Sequence, residues 1–151
     1  MKNVLEYMGN DHDRLDNILA EFRKTWSSDQ DKAKSLFFDF KIGLQRHIVW
    51  EEEILFPIFE DKTGMNESGP TAVMRMEHRQ IKDFLEEIYV KITSGKTDEI
   101  ESLVRKLLEV LVSHNQKEEM VLYPWIDRQA NDEEIEEVFE KIENLPLERY
   151  N

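Results

Sequence analysis

One string in this chain occurs twice, and it limits the fold more than any other feature. His47-Ile-Val-Trp-Glu51-Glu52-Glu-Ile-Leu55-Phe56-Pro57 returns as His114-Asn-Gln-Lys-Glu118-Glu119-Met-Val-Leu122-Tyr123-Pro124. Both read His-x-x-x-Glu-Glu followed by Leu-aromatic-Pro. Residues four apart on a helix share a face, one turn above the other. Each copy therefore aims one imidazole and one carboxylate at the same point. Two such helices facing each other supply two nitrogens and two carboxylates to a shared site, the beginning of a two-metal centre.

The repeat extends outward. Asp11-His12-Asp13-Arg14-Leu15 parallels Glu77-His78-Arg79-Gln80-Ile81, each an acid, a histidine, two polar residues and an aliphatic. His12 precedes His47 by 35 residues, and His78 precedes His114 by 36. The chain thus reads as two copies of one helical hairpin. The first helix of each copy brings one histidine and the second brings His-x-x-x-Glu. All four histidines of the sequence are accounted for, at about one level of the bundle.

Helical periodicity covers the chain in four long segments. The first carries Leu5, Met8, His12, Leu15, Leu19, Phe22 and Trp26, with Gly9-Asn10 as a candidate break. Ser27-Ser28-Asp29 reads as a turn and N-cap region. The second, about residues 30–60, carries Phe37, Phe40, Leu44, His47, Glu51, Leu55 and Ile58. Pro57 predicts a kink or a loosened last turn there. A loop at 63–69 precedes Pro70, which suits a first helical turn. The third, about 70–94, carries Met74, His78, Ile81, Leu85, Ile88 and Ile92 and ends at Gly95 as a C-cap. The fourth, about 98–129, carries Leu103, Leu107, Leu111, His114, Glu118, Leu122 and Trp125. Asn131 with Glu134 forms a capping pair for a short acidic fifth helix ending before Pro146. No stretch alternates like a strand. Short connections between long helices predict an all-α, up-down-up-down antiparallel four-helix bundle over residues 1–130. Residues 131–151 form a short extra C-terminal helix and tail packed on the same domain.

At 151 residues one domain with a sizeable core is expected. The net charge of −13 argues against nucleic acid and anionic membranes as partners. No run is long and apolar enough to span a bilayer, and no signal-peptide pattern opens the chain, so a cytoplasmic location is expected. There is no cysteine, which removes disulfides, thiolate chemistry and cysteine-ligated clusters. Any metal must be held by His, Asp, Glu or Met.

A single histidine on an apolar stripe is usually a hydrogen-bonded core residue. Six polar groups on such stripes are a different matter. A buried carboxylate costs several kcal/mol unless it is paired or bound to a metal, and no Lys or Arg lies on the stripes near Glu51 and Glu118. With two divalent ions, His12, His47, Glu51, His78, His114 and Glu118 satisfy one another. Glu51 and Glu118 would bridge, and each ion would take two imidazoles, one pair from each hairpin. A water, hydroxide or oxo bridge would complete the set and leave an open position. Mixed N/O ligands with open positions suit iron best, with manganese and zinc as substitutes.

The neighbouring residues read more plainly. Glu52 and Glu119 suit a solvated face, with a hydrogen bond to a ligand imidazole as the second reading. Glu77 suits an acidic helix face, with a channel or proton-carrier role second. Trp50, Trp125, Phe56 and Tyr123 read as packing at the bundle end, and Met74 as core filler. The Glu-x-x-His spacing of ferritin-type di-iron bundles is absent at these positions.

With these motifs the chain resembles the hemerythrin-like family, the His-His-Glu cation-binding domains, from about residue 3 to residue 127. The resemblance implies that His12, His47, His78 and His114 are terminal iron ligands and that Glu51 and Glu118 are bridges. Oxygen-carrying hemerythrins have a fifth histidine where this chain has Met74, and an Asp at a different spacing in place of Glu118. Two-histidine irons on both sides follow, an arrangement that argues against reversible O2 carriage. The four-His, two-Glu set is more similar to the di-iron proteins that protect or repair iron–sulfur centres after nitric oxide or oxidative stress. Those proteins have an acidic residue where Glu77 stands, but usually add a cysteine-containing N-terminal domain. Thiol-assisted repair is accordingly not expected here. The resemblance implies a non-haem di-iron protein that binds or senses O2, NO or peroxide at an open iron position, or handles iron under oxidative or nitrosative stress. The alternative is a structural or interaction module whose metal only staples the bundle, with an unknown protein partner. The expected ligand is a small diatomic molecule or peroxide; a binding role is expected ahead of an enzymatic one, with peroxide or NO reduction at the di-iron site as the enzymatic alternative.

Overall fold

The computed structural model describes residues 2–146. The last five positions of the expected C-terminal tail, 147–151, lie outside the described residues, as does residue 1. Helix α1 spans Val4–Thr25. Asn3 caps it by accepting the Glu6 N–H at 2.7 Å. Asp127, far along the chain, accepts the Val4 and Leu5 N–H groups at 2.8 and 3.0 Å. These are orphan donors of a first helical turn, so the caps tie the start of the bundle to its end.

The break suggested by Gly9-Asn10 does not form, and α1 runs through both residues. An added Cβ at Gly9 would come within 3.2 Å of the Glu119 carboxylate. The glycine is there for a close approach, not for a turn.

Helix α2 covers residues 30–63 and opens on Asp29, which accepts the Lys32 N–H at 3.1 Å. It ends at Gly64, whose φ of 75° reverses the chain. Helix α3 spans Pro70–Ser94. Its end is a paired closure: the Gly95 N–H donates to Ile92 C=O and the Lys96 N–H to Lys91 C=O. Helix α4 covers residues 100–129. Helix α5 spans Asp132–Asn144 behind a complete capping box of Asn131 and Glu134.

α1 packs on α2, α2 on α3, α3 on α4, and α1 closes the ring against the end of α4. The described residues are an all-α bundle with a short extra C-terminal helix and no strand. None of their helices is long and apolar enough to cross a membrane.

The helices containing the repeated string are not regular. In α2 the α-helical stretch Gln30–Trp50 gives way to a π-helical turn, Glu51–Leu55, before α-geometry resumes at Phe56–Thr63. In α4, Ile100–Lys117 gives way to Glu118–Leu122 and resumes at Tyr123–Gln129. The Phe56 N–H reaches back five residues to Glu51 C=O, and the Tyr123 N–H to Glu118 C=O. Proline one residue later explains this. In an α-helix, Pro57 and Pro124 would drive their rings against the carbonyls four residues back. One extra residue in the preceding turn moves those carbonyls aside. The kink expected at Pro57 is thus a wide turn, and it begins at the glutamate of each motif.

The core has two apolar parts. One half holds Leu19, Phe22, Phe37, Phe40, Ile88, Leu103 and Leu107. The other holds Met8, Trp50, Leu55, Phe56, Phe59, Met74, Leu122 and Ile126, and α5 adds Ile135, Val138 and Ile142 from one face. Each such side chain removed from water contributes about 1.5–3 kcal/mol. Of the buried polar residues, all but Thr71 belong to the histidine level described next.

Candidate metal centre

The structure brings all six expected residues together. His12 comes from α1, His47 and Glu51 from α2, His78 from α3, and His114 and Glu118 from α4. Glu51 and Glu118 are 0% exposed, and no histidine exceeds 3%. The rings pair within hairpins. His12 and His47 have centroids 4.6 Å apart, and His78 and His114 have centroids 4.7 Å apart.

Every imidazole points Nε2 inward. His78 Nε2 lies 3.1 Å from Glu51, and His114 Nε2 lies 3.0 Å from Glu118. His12 Nε2 lies 3.2 Å from Glu118, and His47 Nε2 lies 3.7 Å from Glu51. Each carboxylate therefore faces imidazoles of both hairpins. Two overlapping donor groups result, Glu51–His78–His114–Glu118 and His12–His47–Glu118.

The Nδ1 atoms point outward, to a ring of carboxylates. Asp11 takes His47 Nδ1 at 2.8 Å, Glu77 takes His114 Nδ1 at 3.0 Å, and Glu52 takes His78 Nδ1 at 2.7 Å. Glu119 stands 3.6 Å from His12 Nδ1. The arrangement follows the duplication. The acid before the first histidine of a hairpin holds the second histidine of that hairpin. The acid after each motif glutamate faces the first histidine of the other hairpin. A carboxylate on Nδ1 fixes ring orientation and leaves Nε2 free as a lone-pair donor.

Three of these acids are held ionised. Burial works against the charge of Asp11, but the bond to His47 and the Arg14 guanidinium at 2.9 Å bring its pKa below the ordinary value. Burial likewise opposes the charge of Glu77, and Lys117 at 2.6 Å with His114 outweighs it. At Glu52 burial is outweighed by His78. Lys and Arg therefore occur in this outer ring, while Glu51 and Glu118 have none.

Three expectations are corrected here. Glu77 is not part of a solvated acidic face: it is largely buried and accepts from His114 Nδ1 and the Lys117 ammonium. Glu52 is a hydrogen-bond partner of a ligand-type imidazole, not a solvated face, since α3 packs on α2 and brings His78 Nδ1 within 2.7 Å of it. Tyr123 is not packing alone. Its hydroxyl donates to Glu51 at 2.6 Å, lies 3.1 Å from Glu118 Oε1, and lies 3.2 and 3.4 Å from Nε2 of His47 and His12. Burial, then the two carboxylates, push this phenol well above its ordinary pKa. Its counterpart Phe56 stacks on His78 at 5.5 Å with an interplanar angle of 10°. Trp125 packs edge-on against Phe59 and Met74 is buried among apolar neighbours, both in line with the sequence reading.

Asp11 was absent from the candidate residues. Its signal lay in the duplication, where it aligns with Glu77 ahead of a histidine.

Without cations this interior is poorly satisfied. His78 Nε2 and His114 Nε2 face each other at 3.1 Å. With Nδ1 of each ring committed to an acid, two neutral rings oppose two lone pairs and two charged rings oppose two N–H groups, so the contact is a hydrogen bond only when one of the two rings carries an extra proton. Glu51 Oε1 and Glu118 Oε2 are buried with no aligned hydrogen bond, although imidazole nitrogens stand near. Burial and the charge of Glu118 raise the Glu51 pKa. At His12 burial opposes the charge, but Glu118 and Glu51 lift the pKa to about 8. His114 is raised by the same carboxylates against burial, and His78 well above its ordinary value. A donor set that draws in this many protons fits cations between the donors.

A closed antiparallel bundle with paired imidazoles and shared carboxylates at one level defines a helical-bundle metal-binding protein. Residues 3–126 match the Hemerythrin HHE cation binding domain, and the chain belongs to that family. It is similar to a DNA nickase of Nostoc sp. (strain PCC 7120 / SAG 25.82 / UTEX 2576), 27% identical over 135 residues, covering 89% of this chain and 36% of that protein. It is similar to the iron-sulfur cluster repair protein YtfE of Escherichia coli O1:K1 / APEC, 31% identical over 90 residues, covering 54% of this chain and 40% of that protein. The same figures hold for the protein of that name from Shigella boydii serotype 18. The aligned regions thus span well under half the length of these relatives. No solved structure matches.

Proposed function

We propose that this chain is a non-haem di-iron protein that binds or senses O2, NO or peroxide at an open iron position, or handles iron under oxidative or nitrosative stress. One observation carries the reading: four Nε2 atoms and two fully buried carboxylates converge, with an acid at or near each opposite Nδ1. His12, His47, Glu51, His78, His114 and Glu118 would hold two ions, with both glutamates shared. The donor set suits iron, with manganese or zinc as substitutes. Bound iron supplies one-electron chemistry and a coordination position for a small ligand. The chain's own residues do the rest. Asp11, Glu77 and Glu52 keep the imidazoles oriented, and the apolar clusters on either side restrict water.

The name of the two enterobacterial relatives, iron-sulfur cluster repair, supports the stress reading. The nickase name of the Nostoc relative belongs to a protein of which this chain matches 36%. A net charge of −13 supports keeping nucleic acid and anionic membrane out of the proposal. The proposed location is the cytoplasm.

The test is metal analysis with Mössbauer spectroscopy on anaerobically purified protein, then stopped-flow mixing of the reduced form with O2, NO or peroxide. Two irons per chain and a spectral response to a small ligand are expected. Two ions with no response to any of them would leave a metal that only staples the bundle, and the proposal would be withdrawn.

A further inference from the structure

The two halves of the centre differ in the aromatic residue that follows each wide turn. Where the first motif ends in Phe56, the second ends in Tyr123, and only the tyrosine carries a donor. Its oxygen is not at the edge of the site. It lies 2.6 Å from Glu51 Oε2, 3.1 Å from Glu118 Oε1, 3.2 Å from His47 Nε2 and 3.4 Å from His12 Nε2. Donors that share one ion at about 2.1 Å stand about 3.0 Å apart when they are at right angles. The phenol oxygen stands near this separation from three donor atoms, Glu118 Oε1, His47 Nε2 and His12 Nε2, while its 2.6 Å contact to Glu51 Oε2 is a charge-assisted hydrogen bond that coordination would replace. A hydroxyl held only by packing needs one acceptor and gains nothing from two further ring nitrogens. On the other side, the Phe56 ring lies flat against His78 and supplies no fifth atom.

We infer that Tyr123 is a fifth protein ligand of the ion held by His12 and His47, so that the ion held by His78 and His114 alone keeps an open position. The inference rests on the two-ion reading above and deepens it. It states on which ion a small ligand binds. Coordination forms one O–metal bond as the O–H bond breaks, the proton passes to bulk water, and no electron is transferred. The wide turn makes this geometry available. It places Tyr123 directly after Leu122 at the resumption of α4, with its ring turned inward and 0% exposed.

Iron(III) bound to a phenolate absorbs in the visible by charge transfer, and excitation there enhances the ring modes of that phenolate in the Raman spectrum. The experiment is the visible and resonance Raman spectrum of the oxidised protein carrying two irons, prepared with natural and with ring-deuterated tyrosine. Enhanced ring modes that shift on deuteration are expected, and Tyr123→Phe carrying two irons is expected to lose them. The Tyr123 hydroxyl is hydrogen-bonded to both metal-directed glutamates, so these modes are assigned to it. Two irons without phenolate modes, or a Tyr123→Phe variant that keeps them, would overturn the inference and leave the two-ion reading intact. If Tyr123→Phe takes up no iron, the deuterium shift in the unsubstituted protein decides. Failure of the unsubstituted protein to hold two ions would refute the reading on which the inference depends.

Discussion

The two hairpins are the same device built twice, and comparing them separates what the centre requires from what it tolerates. Both give His from the first helix and His-x-x-x-Glu from the second, and both open a wide turn at that glutamate. Both place an acid on Nδ1 of their second histidine. They differ where Phe56 answers Tyr123, and where Glu52 at 2.7 Å answers Glu119 at 3.6 Å. Half of the site is thus fixed by symmetry, and the other half is where the copies have acquired separate tasks.

Removing a shared residue should do the most damage, because it acts on both halves. Glu118→Ala is expected to lose both ions, whereas His114→Ala should lose mainly the ion of its own hairpin. Metal content per folded chain, with helicity checked by circular dichroism, decides. Equal losses in the two variants would contradict a shared carboxylate. Next in size is metal removal. An ion at about a thousand times its dissociation constant stabilises by about 4 kcal/mol. For a chain of this length that corresponds to a melting temperature higher by roughly 10 °C. A chelated protein that melts at the same temperature as the loaded one would exclude metal-coupled stability.

The outer acids come third. Asp11→Asn and Glu77→Gln should each weaken metal binding by about 10- to 100-fold, and by similar amounts, as symmetry demands. Glu52→Gln should match them. Glu119→Gln should change affinity least, since its carboxylate is beyond hydrogen-bond distance and partly exposed. Competition with a calibrated chelator measures all four.

The metal-free protein should also respond to pH. His12 has a folded pKa of about 8, above the ordinary 6.5. Its contribution to stability is therefore complete below pH 6.5 and is lost as pH rises through about 8, a change on the order of 2 kcal/mol. The loaded protein should lack this decline, because its imidazoles are already without the competing proton. Thermal melts of both forms across pH 6–9 test the sign.

Much of this was readable beforehand. The 3.6-residue stripes located the helices, and Pro70, Gly95 and the Asn131–Glu134 pair marked ends that form where expected. The six inward groups followed from a spacing of four and a duplication. What escaped were residues whose partners come from a neighbouring helix or from beyond a wide turn. A regular helix places Glu52 about 100° away from Glu51, out toward solvent. A neighbouring helix, α3, packs on that flank of α2 and brings His78 Nδ1 to 2.7 Å from it. Tyr123 lies beyond the wide turn of α4, where a 3.6-residue stripe no longer gives the direction of a side chain. Asp11 needed no unusual geometry, only the alignment of one hairpin on the other. Gly9 looked like punctuation because the carboxylate that approaches it comes from a helix a hundred residues away in the chain.

The wide turns have one more consequence. Each inserts a single position into a rod that otherwise repeats every 3.6, so everything downstream is shifted in phase by about 100°. Pro57 and Pro124 keep the insertion from migrating along the rod, since neither ring tolerates regular α-geometry behind it. Deleting one residue between 51 and 55 would rotate Phe56 and Phe59 off the interior while leaving the chain upstream in register. The part of each rod beyond its glutamate is therefore keyed like a spline, and aromatic placement at the end of the bundle depends on an integer, not on an affinity.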